Sequence, residues 1–272
     1  DDPRLFDFIG TRRAIDYAVF QGMPVRSVDS ITLPIFNPQD PDENNALYRG
    51  INYLHIPTRP RTITRQMLVK PGDALDADRI RESERILRGA NYLYDAMVVP
   101  ARTCSDGIDL LVVVRDIWTL QPTADYSRTG GQSSTSLGIS DDNILGYGHG
   151  LSLSYDKSAD RSGVVFGYRA SNLLDGHARL ELDHASNDDG RSDHVRMERP
   201  FYALDTHRAG GIEATETVRR DKVMVNGTQT NEYRHDINRI EAYAGYSAGL
   251  RDDRTDRFRL GITRESDRFG DQ

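Results

Sequence analysis

The stretch Ser136–Tyr155, SLGISDDNILGYGHGLSLSY, decides the fold of this chain. Apolar side chains alternate with glycine or serine on both sides of a polar Asp-Asp-Asn turn that continues into a Gly-rich run. The alternating positions are Leu137, Ile139, Leu151, Leu153 and Tyr155. A period of two is typical of β-strands with two different faces. The stretch therefore predicts two strands joined by a turn.

Length and composition narrow the classes of function. The chain has 272 residues, which is enough for two domains. Its formal net charge of −7 argues against a nucleic-acid backbone as partner. No apolar run approaches the roughly 20 residues of a membrane helix, which excludes a helical membrane protein but not a membrane barrel, whose strands are half apolar. The single cysteine, Cys104, leaves no internal disulfide.

The N-terminal segment, residues 1–22, predicts an amphipathic helix. Apolar residues recur at roughly helical spacing between Leu5 and Val19, and charged residues such as Arg12 lie on the other side. Such a helix either docks on the following domain or lies against a membrane surface or a partner. Its small basic content favours docking.

Residues 23–121 predict a small α+β domain with the order strand, helix, helix, strand, strand. The first strand is Val25–Ile35, and the second helix runs from about Asp76 to Asn91. A hairpin follows, with Ser105-Asp106-Gly107 as its turn and the most apolar strand, Ile108–Leu120, as the central one. Two helices on one face of a three-stranded sheet bury each other's apolar sides and form one core.

Residues 122–272 predict about eight or nine further strands at the usual length of strand plus turn. The alternation is clearest from Ile240 to Leu250, where the second face carries glycine and polar residues. Many such strands, with short polar turns and aromatic residues near their ends, are typical of an up-and-down barrel with an apolar outside and a wet interior. A water-soluble β-domain also alternates, so the pattern alone leaves both open.

Four stretches together resemble a known family. They are LRGANYLYDAMV (Leu87–Val98), the hairpin strand Leu110–Leu120 ending in RDIWTL, SDDNILGYGHGLSLSY, and MERPFY (Met197–Tyr202). In this order they resemble the BamA-like outer-membrane superfamily, in which periplasmic POTRA domains of β-α-α-β-β order precede a membrane barrel. The resemblance implies a POTRA domain followed by an antiparallel up-and-down transmembrane β-barrel. A family barrel has about sixteen strands, so we expect only the N-terminal part of a barrel here.

The resemblance also implies a function, in which the protein assists insertion or translocation of client proteins by β-strand pairing. Its partners would be unfolded or nascent outer-membrane or secreted proteins, outer-membrane lipids, and accessory periplasmic or lipoprotein subunits. The barrel would lie in the bacterial outer membrane, with the POTRA in the periplasm. Two alternatives stay open: a passive outer-membrane channel or structural barrel with a POTRA docking module, and a soluble β-rich binding protein.

A POTRA sheet leaves an edge strand open, to which a client segment can pair by β-augmentation. In this chain the expected edge strand lies around Ala96–Ala101 and contains Pro100. The alternative is that Pro100 only prevents other strands from pairing with this edge. The candidate pairing residues are Ala96, Met97, Val98, Val99 and Ala101.

The first barrel hairpin turn is the second candidate site. Its glycines let the chain turn tightly and let backbone approach backbone. A nucleotide loop is not expected, because a strand rather than a helix follows the glycines. The turn residues are Asp141, Asp142, Asn143, Gly146 and Gly148.

The sequence carries no catalytic set, so no enzyme activity, cofactor or metal is expected. Its seven histidines are spread out, without HExxH or a cysteine pair. Charges on alternate strand positions are instead the expected lining of a wet interior, as at Arg169, Arg179, Glu181 and Asp183.

Overall fold

The computed structural model describes residues 4–11, 15–130, 132–158, 161–225, 228–252 and 254–270. The chain divides into two compact units. Unit 1 comprises Asp1–Thr119, Asp142–Gly148 and Leu174–Gly176. Unit 2 comprises Leu120–Asp141, His149–Leu173 and His177–Gln272. Two short segments of the C-terminal half therefore belong to unit 1.

Unit 1 is built on a three-stranded mixed sheet. Its elements are α1 (Arg4–Thr11), a 3₁₀-helix (Tyr17–Phe20), β1 (Val25–Leu33), α2 (Ala46–Leu54), α3 (Pro60–Thr64), α4 (Ala77–Arg88), β2 (Leu93–Cys104) and β3 (Gly107–Asp116). The strand order is β1-β3-β2, with β3 parallel to β1 and antiparallel to β2. The most apolar strand is therefore central, as predicted, although it ends at Asp116.

Local sequence explains the helices that cover one face of this sheet. The Asp76 carboxylate caps α4 by accepting the backbone N–H groups of Asp78 and Arg79. The buried stripe of α4, with Ile80 and Leu87, packs against the sheet. α2 was not predicted; it begins after Asn45, whose side chain accepts the N–H of Tyr48. The core of this face includes Ile63, Met67, Ile80, Leu87, Leu110 and Val112.

The predicted single helix over residues 1–22 is wrong. The chain forms α1 and then a separate 3₁₀-helix, while residues 12–14 lie outside the described part. Asp16 has non-helical backbone angles, and its carboxylate accepts the N–H of Ala18, so a helix does not run through it. The expected docking does occur, because Ile9 of α1 packs with Met97 and Val113 on the opposite face of the sheet.

Unit 2 is one nine-stranded antiparallel sheet. Its strands are β4 (Leu120–Thr129), β5 (Gln132–Asp141), β6 (His149–Lys157), β7 (Ser162–Leu173), β8 (Ala178–Asn187), β9 (Gly190–Arg199), β10 (Arg208–Val225), β11 (Thr228–Ser247) and β12 (Arg257–Gly270). Each strand pairs with its neighbours in sequence, from β4 at one edge to β12 at the other. The up-and-down arrangement is thus confirmed and fits part of a β-barrel, but the described strands do not close, since β4 and β12 are not paired. None of the helices in the described ranges is long and apolar enough to cross a bilayer.

Candidate functional site

The sheet of unit 2 has one apolar face, which the strand register defines. Residues directly opposite each other on paired strands point to the same face. Ile212 lies opposite Ala242, and Ala242 lies opposite Ile262, so apolar side chains form a row across β10, β11 and β12. The same face continues from β9 to β5 with Met197, Val195, Leu182, Leu180, Tyr168, Phe166, Leu153, Leu151, Ile139 and Leu137.

Many side chains of this apolar face are exposed. On β12, Phe258 is 71%, Leu260 82% and Ile262 76% exposed. Further exposed members are Leu137, Ile139, Leu153, Phe166, Val195, Met197, Ile212, Ile240 and Tyr246. A soluble protein rarely leaves a contiguous apolar surface of this kind in water.

The opposite face of the sheet carries rows of charge. Arg169 contacts Glu181 at 2.9 Å and Asp183 at 3.3 Å, which brings three of the predicted lining residues together. The fourth, Arg179, lies 3.8 Å from Glu198. His194 lies 3.3 Å from both Asp183 Oδ2 and Glu213 Oε1. These side chains are partly exposed, so each pair contributes little to stability. Their effect is to make one face of the sheet strongly hydrophilic.

The second candidate, the turn around Asn143, joins β5 to β6. The prediction that it is the first hairpin turn is wrong, because β4 pairs with β5 one hairpin earlier. Asp141 is the last residue of β5, whereas Asp142–Gly148 belongs to unit 1. A short 3₁₀-helix, Ile144–Gly146, lies inside the turn.

A buried polar network holds this turn within unit 1. The Asn143 amide donates to Thr58 Oγ1 at 2.7 Å, and Asn143 Oδ1 accepts the Gly148 N–H at 2.7 Å. Thr58 then donates to the buried Asp116 carboxylate through its hydroxyl, at 2.7 Å, and its N–H, at 2.8 Å. His55 Nε2 lies 2.7 Å from Asp116 Oδ2. The polar groups of the network therefore satisfy one another away from water.

Two glycines of the turn are required by both conformation and space. Gly146 and Gly148 have φ values of 76° and 64°, in the left-handed region that disfavours a Cβ. A Cβ on Gly146 would meet the carbonyl of Pro57, and one on Gly148 would lie 2.7 Å from the Tyr92 ring. The expected close approach of the backbone is therefore present, to the Pro57 carbonyl at Gly146 and to the Tyr92 ring at Gly148.

The candidate pairing residues lie on β2, an edge strand of the sheet of unit 1. Side chains form hydrogen bonds with the backbone groups of this edge. The Val98 N–H donates to Glu84 Oε1 at 2.8 Å, and the Val98 carbonyl accepts from the Tyr17 hydroxyl at 2.6 Å. The Ala96 N–H donates to Asp95 Oδ1 at 2.8 Å, and its carbonyl accepts from Arg88 Nε at 3.0 Å. Client pairing at this edge stays a prediction.

The four side chains at this edge also contact one another, and we call them the edge cap: Tyr17, Glu84, Arg88 and Asp95. Arg88 contacts Glu84 at 3.0 Å and Asp95 at 2.9 Å. The Tyr17 hydroxyl lies 2.7 Å from Glu84 Oε1. Burial, followed by the hydrogen bond to Glu84 and the charge of that carboxylate, raises the pKa of Tyr17.

Sequence reasoning missed the edge cap. Glu84 and Arg88 have the i, i+4 spacing of a helical ion pair, which is the one signal visible in the sequence. That spacing usually marks an exposed pair. The burial of Glu84 and the approach of Tyr17 come from contacts distant in sequence.

Comparison with known proteins shows likeness at the level of structure. No protein-family model matches the sequence, and no curated protein matches it significantly. The chain is similar to the crystal structure of BamA from Haemophilus ducreyi lacking POTRA domains 1–3, with 12% identity, a TM-score of 0.47, and coverage of 89% of this chain and 55% of that one. It is also similar to CdiB from Acinetobacter baumannii, with 11% identity, a TM-score of 0.46, and coverage of 89% and 46%.

The chain therefore spans about half the length of these two structures. Both TM-scores lie below one half, so the likenesses decide neither family membership nor function.

Proposed function

We propose that unit 2 is part of a bacterial outer-membrane β-barrel, with its apolar face towards lipid and its charged face towards a wet interior. The observation that carries this proposal is the row of exposed apolar residues on one face, set against rows of charge on the other. In water, exposed apolar surface is unfavourable by about 25 cal/mol per Å² relative to burial, whereas lipid removes that cost. Transmembrane barrels alternate in this way.

We further propose that unit 1 is a periplasmic POTRA domain. Its strands and helices β1, α3, α4, β2 and β3 follow the β-α-α-β-β order, with the additional helix α2. The central position of β3 leaves β1 and β2 as edges. Sheet edges are the surfaces at which a domain of this kind accepts an extended segment.

Together the two units support a protein that assists insertion or translocation of client proteins by strand pairing, without covalent chemistry. The edge strands β1 and β2 of unit 1 support this role, because an extended segment can pair with a sheet edge. Clients would be unfolded or nascent outer-membrane or secreted proteins, with lipids and accessory periplasmic or lipoprotein subunits as further partners.

A passive channel or structural barrel with a POTRA docking module is the second candidate. The edge cap favours it, because capped backbone groups at Ala96 and Val98 are not available to a client. A soluble β-rich binding protein, the third alternative, would need a cover for the apolar face of unit 2.

Gel mobility of the full-length protein in detergent, with and without boiling, tests the membrane assignment. A closed barrel stays compact until it is heated, so we expect a mobility shift and a need for detergent during extraction. A freely soluble protein with no shift would overturn the assignment and favour the soluble alternative.

Photo-crosslinking then separates assisted insertion from a passive channel. A crosslinker is placed at Ser127 on the edge strand β4, and a matched one at Ser186 on the interior strand β8. Crosslinks to client strands at Ser127 but not at Ser186 would support insertion or translocation. The absence of client crosslinks at both positions would favour the passive channel.

A further inference from the structure

The outward-facing backbone groups of β2 can be identified from its pairing. In an antiparallel pair, the backbone N–H and carbonyl groups of every second residue bond to the partner strand. The backbone groups of the residues between them point away from that strand. On β3, Val114 lies opposite Ala96 and Val112 lies opposite Val98. The backbone N–H groups of Ala96 and Val98 nevertheless donate to side chains and not to β3. These two residues therefore face outward, and Pro100 is the next outward position.

None of the outward positions from Ala96 to Pro100 offers an available backbone donor. The N–H and carbonyl groups of Ala96 and Val98 each have a side-chain partner in the edge cap. Pro100 has no N–H to donate. An incoming strand would thus meet three successive outward positions without an available backbone donor.

The edge cap reproduces the bonds that a neighbouring strand would make. The Glu84 carboxylate takes the place of a carbonyl acceptor, and the Tyr17 hydroxyl takes the place of an N–H donor. Tyr17, Glu84 and Asp95 are all buried. A strand that displaced them would have to move a buried carboxylate and its Arg88 partner, which is unfavourable unless the whole group swings away.

We propose that Tyr17, Glu84, Arg88 and Asp95 form a removable cap that closes the β2 edge to strand addition, so that an extended client segment pairs there only after the cap opens. This inference deepens the proposed client pairing. Its contacts all lie in unit 1, so it stands or fails independently of the membrane assignment of unit 2.

The test compares the full chain, kept in detergent, with the double variant Tyr17→Phe/Glu84→Ala and the matched control Glu82→Ala. Glu82 lies on the same helix and contacts Arg85, and it is not a member of the edge cap. The probe is a synthetic peptide of the β12 sequence, Arg257–Asp267, an alternating strand with an apolar face. A photo-crosslinker at Ala101 on β2 reports pairing.

Hydrogen exchange of the Val98 amide reports opening of the edge. We expect exchange to rise about 100-fold in the double variant, with protected amides of the central strand, such as Val112, unchanged. We expect the peptide to crosslink at Ala101 at least about tenfold more in the double variant than in the wild type or the Glu82→Ala control.

Three results would overturn the proposal. They are equal crosslinking of the wild type and the double variant, unchanged exchange at Val98, and faster exchange without peptide crosslinking. If the double variant loses protection at Val112, Tyr17→Phe alone is used, because it removes one bond to Val98 and keeps Glu84. That variant must then show the same two changes in smaller measure.

Discussion

Replacing Asn143 by alanine tests the network that holds the Asp142–Gly148 turn. The change removes two buried hydrogen bonds, to Thr58 Oγ1 and from the Gly148 N–H, each 2.7 Å long. A buried hydrogen bond contributes about 1 kcal/mol, and a buried N–H left without an acceptor costs about 1–3 kcal/mol. We therefore expect the free energy of unfolding of unit 1 to fall by about 2–4 kcal/mol.

The single tryptophan of the chain provides the assay. Trp118 lies two residues after the end of β3 and belongs to unit 1. Its fluorescence during urea denaturation of the full chain in detergent should report unfolding of this unit. With a slope of about 1–3 kcal/mol per molar urea, the midpoint should fall by about 1–2 M.

Asp142→Ala is the matched control in the same turn. Asp142 makes no side-chain hydrogen bond in the part of the chain that the structure describes, so we expect a change within about 0.5 kcal/mol. A midpoint for Asn143→Ala within about 0.2 M of the wild type would refute the reasoning. So would an equal fall in both variants.

Three further changes probe the turn, the edge cap and the apolar face. Gly148→Ala places a Cβ 2.7 Å from the Tyr92 ring at a left-handed φ, and should lower the stability of unit 1 by about 2–3 kcal/mol in the same fluorescence assay. The raised pKa of Tyr17 favours its neutral form in the folded state. Its contribution is therefore complete below about pH 10, where the phenol of the unfolded chain is also neutral, and declines as the pH rises further. Denaturation from pH 8 to 11 should show this decline, and Tyr17→Phe should flatten it; parallel curves would contradict the assignment. Leu260→Arg, on the exposed apolar face that we propose contacts lipid, should destabilise the protein in vesicles by about 2–4 kcal/mol, whereas Thr263→Arg, on the charged face, should not. Equal losses would argue against lipid contact.

The strands of unit 2 could be predicted from the sequence because apolar and polar residues alternate along a strand whose two faces differ. Leu153 alternates with serine in the sequence, and it lies opposite Ile139 in the sheet. The central strand β3 was also predictable, because burial on both faces demands a nearly continuous apolar run. The N-terminal helix was predicted wrongly, since apolar spacing did not reveal that Asp16 caps a new helix.

The candidate sites were only half visible in the sequence. The glycines at 146 and 148 are typical of a tight turn, but their need for space arises from Pro57 and Tyr92, more than 50 residues away in the chain. Ala96 and Val98 were predicted to lie on an open edge. The hydrogen bonds from the edge cap to their backbone groups were not predicted.

By itself, the sequence determined which residues form strands and which face of each strand is apolar, since both depend on neighbours one and two positions away. Only the tertiary structure decided that Glu84 and Tyr17 bond to the β2 edge and that Asn143 binds Thr58. The physical reason is that a polar side chain bonds to whichever backbone or side-chain group folding leaves unpaired beside it. The order of the strands and the positions of the helices determine which groups are left unpaired. A pattern of neighbouring residues in the sequence does not contain that information.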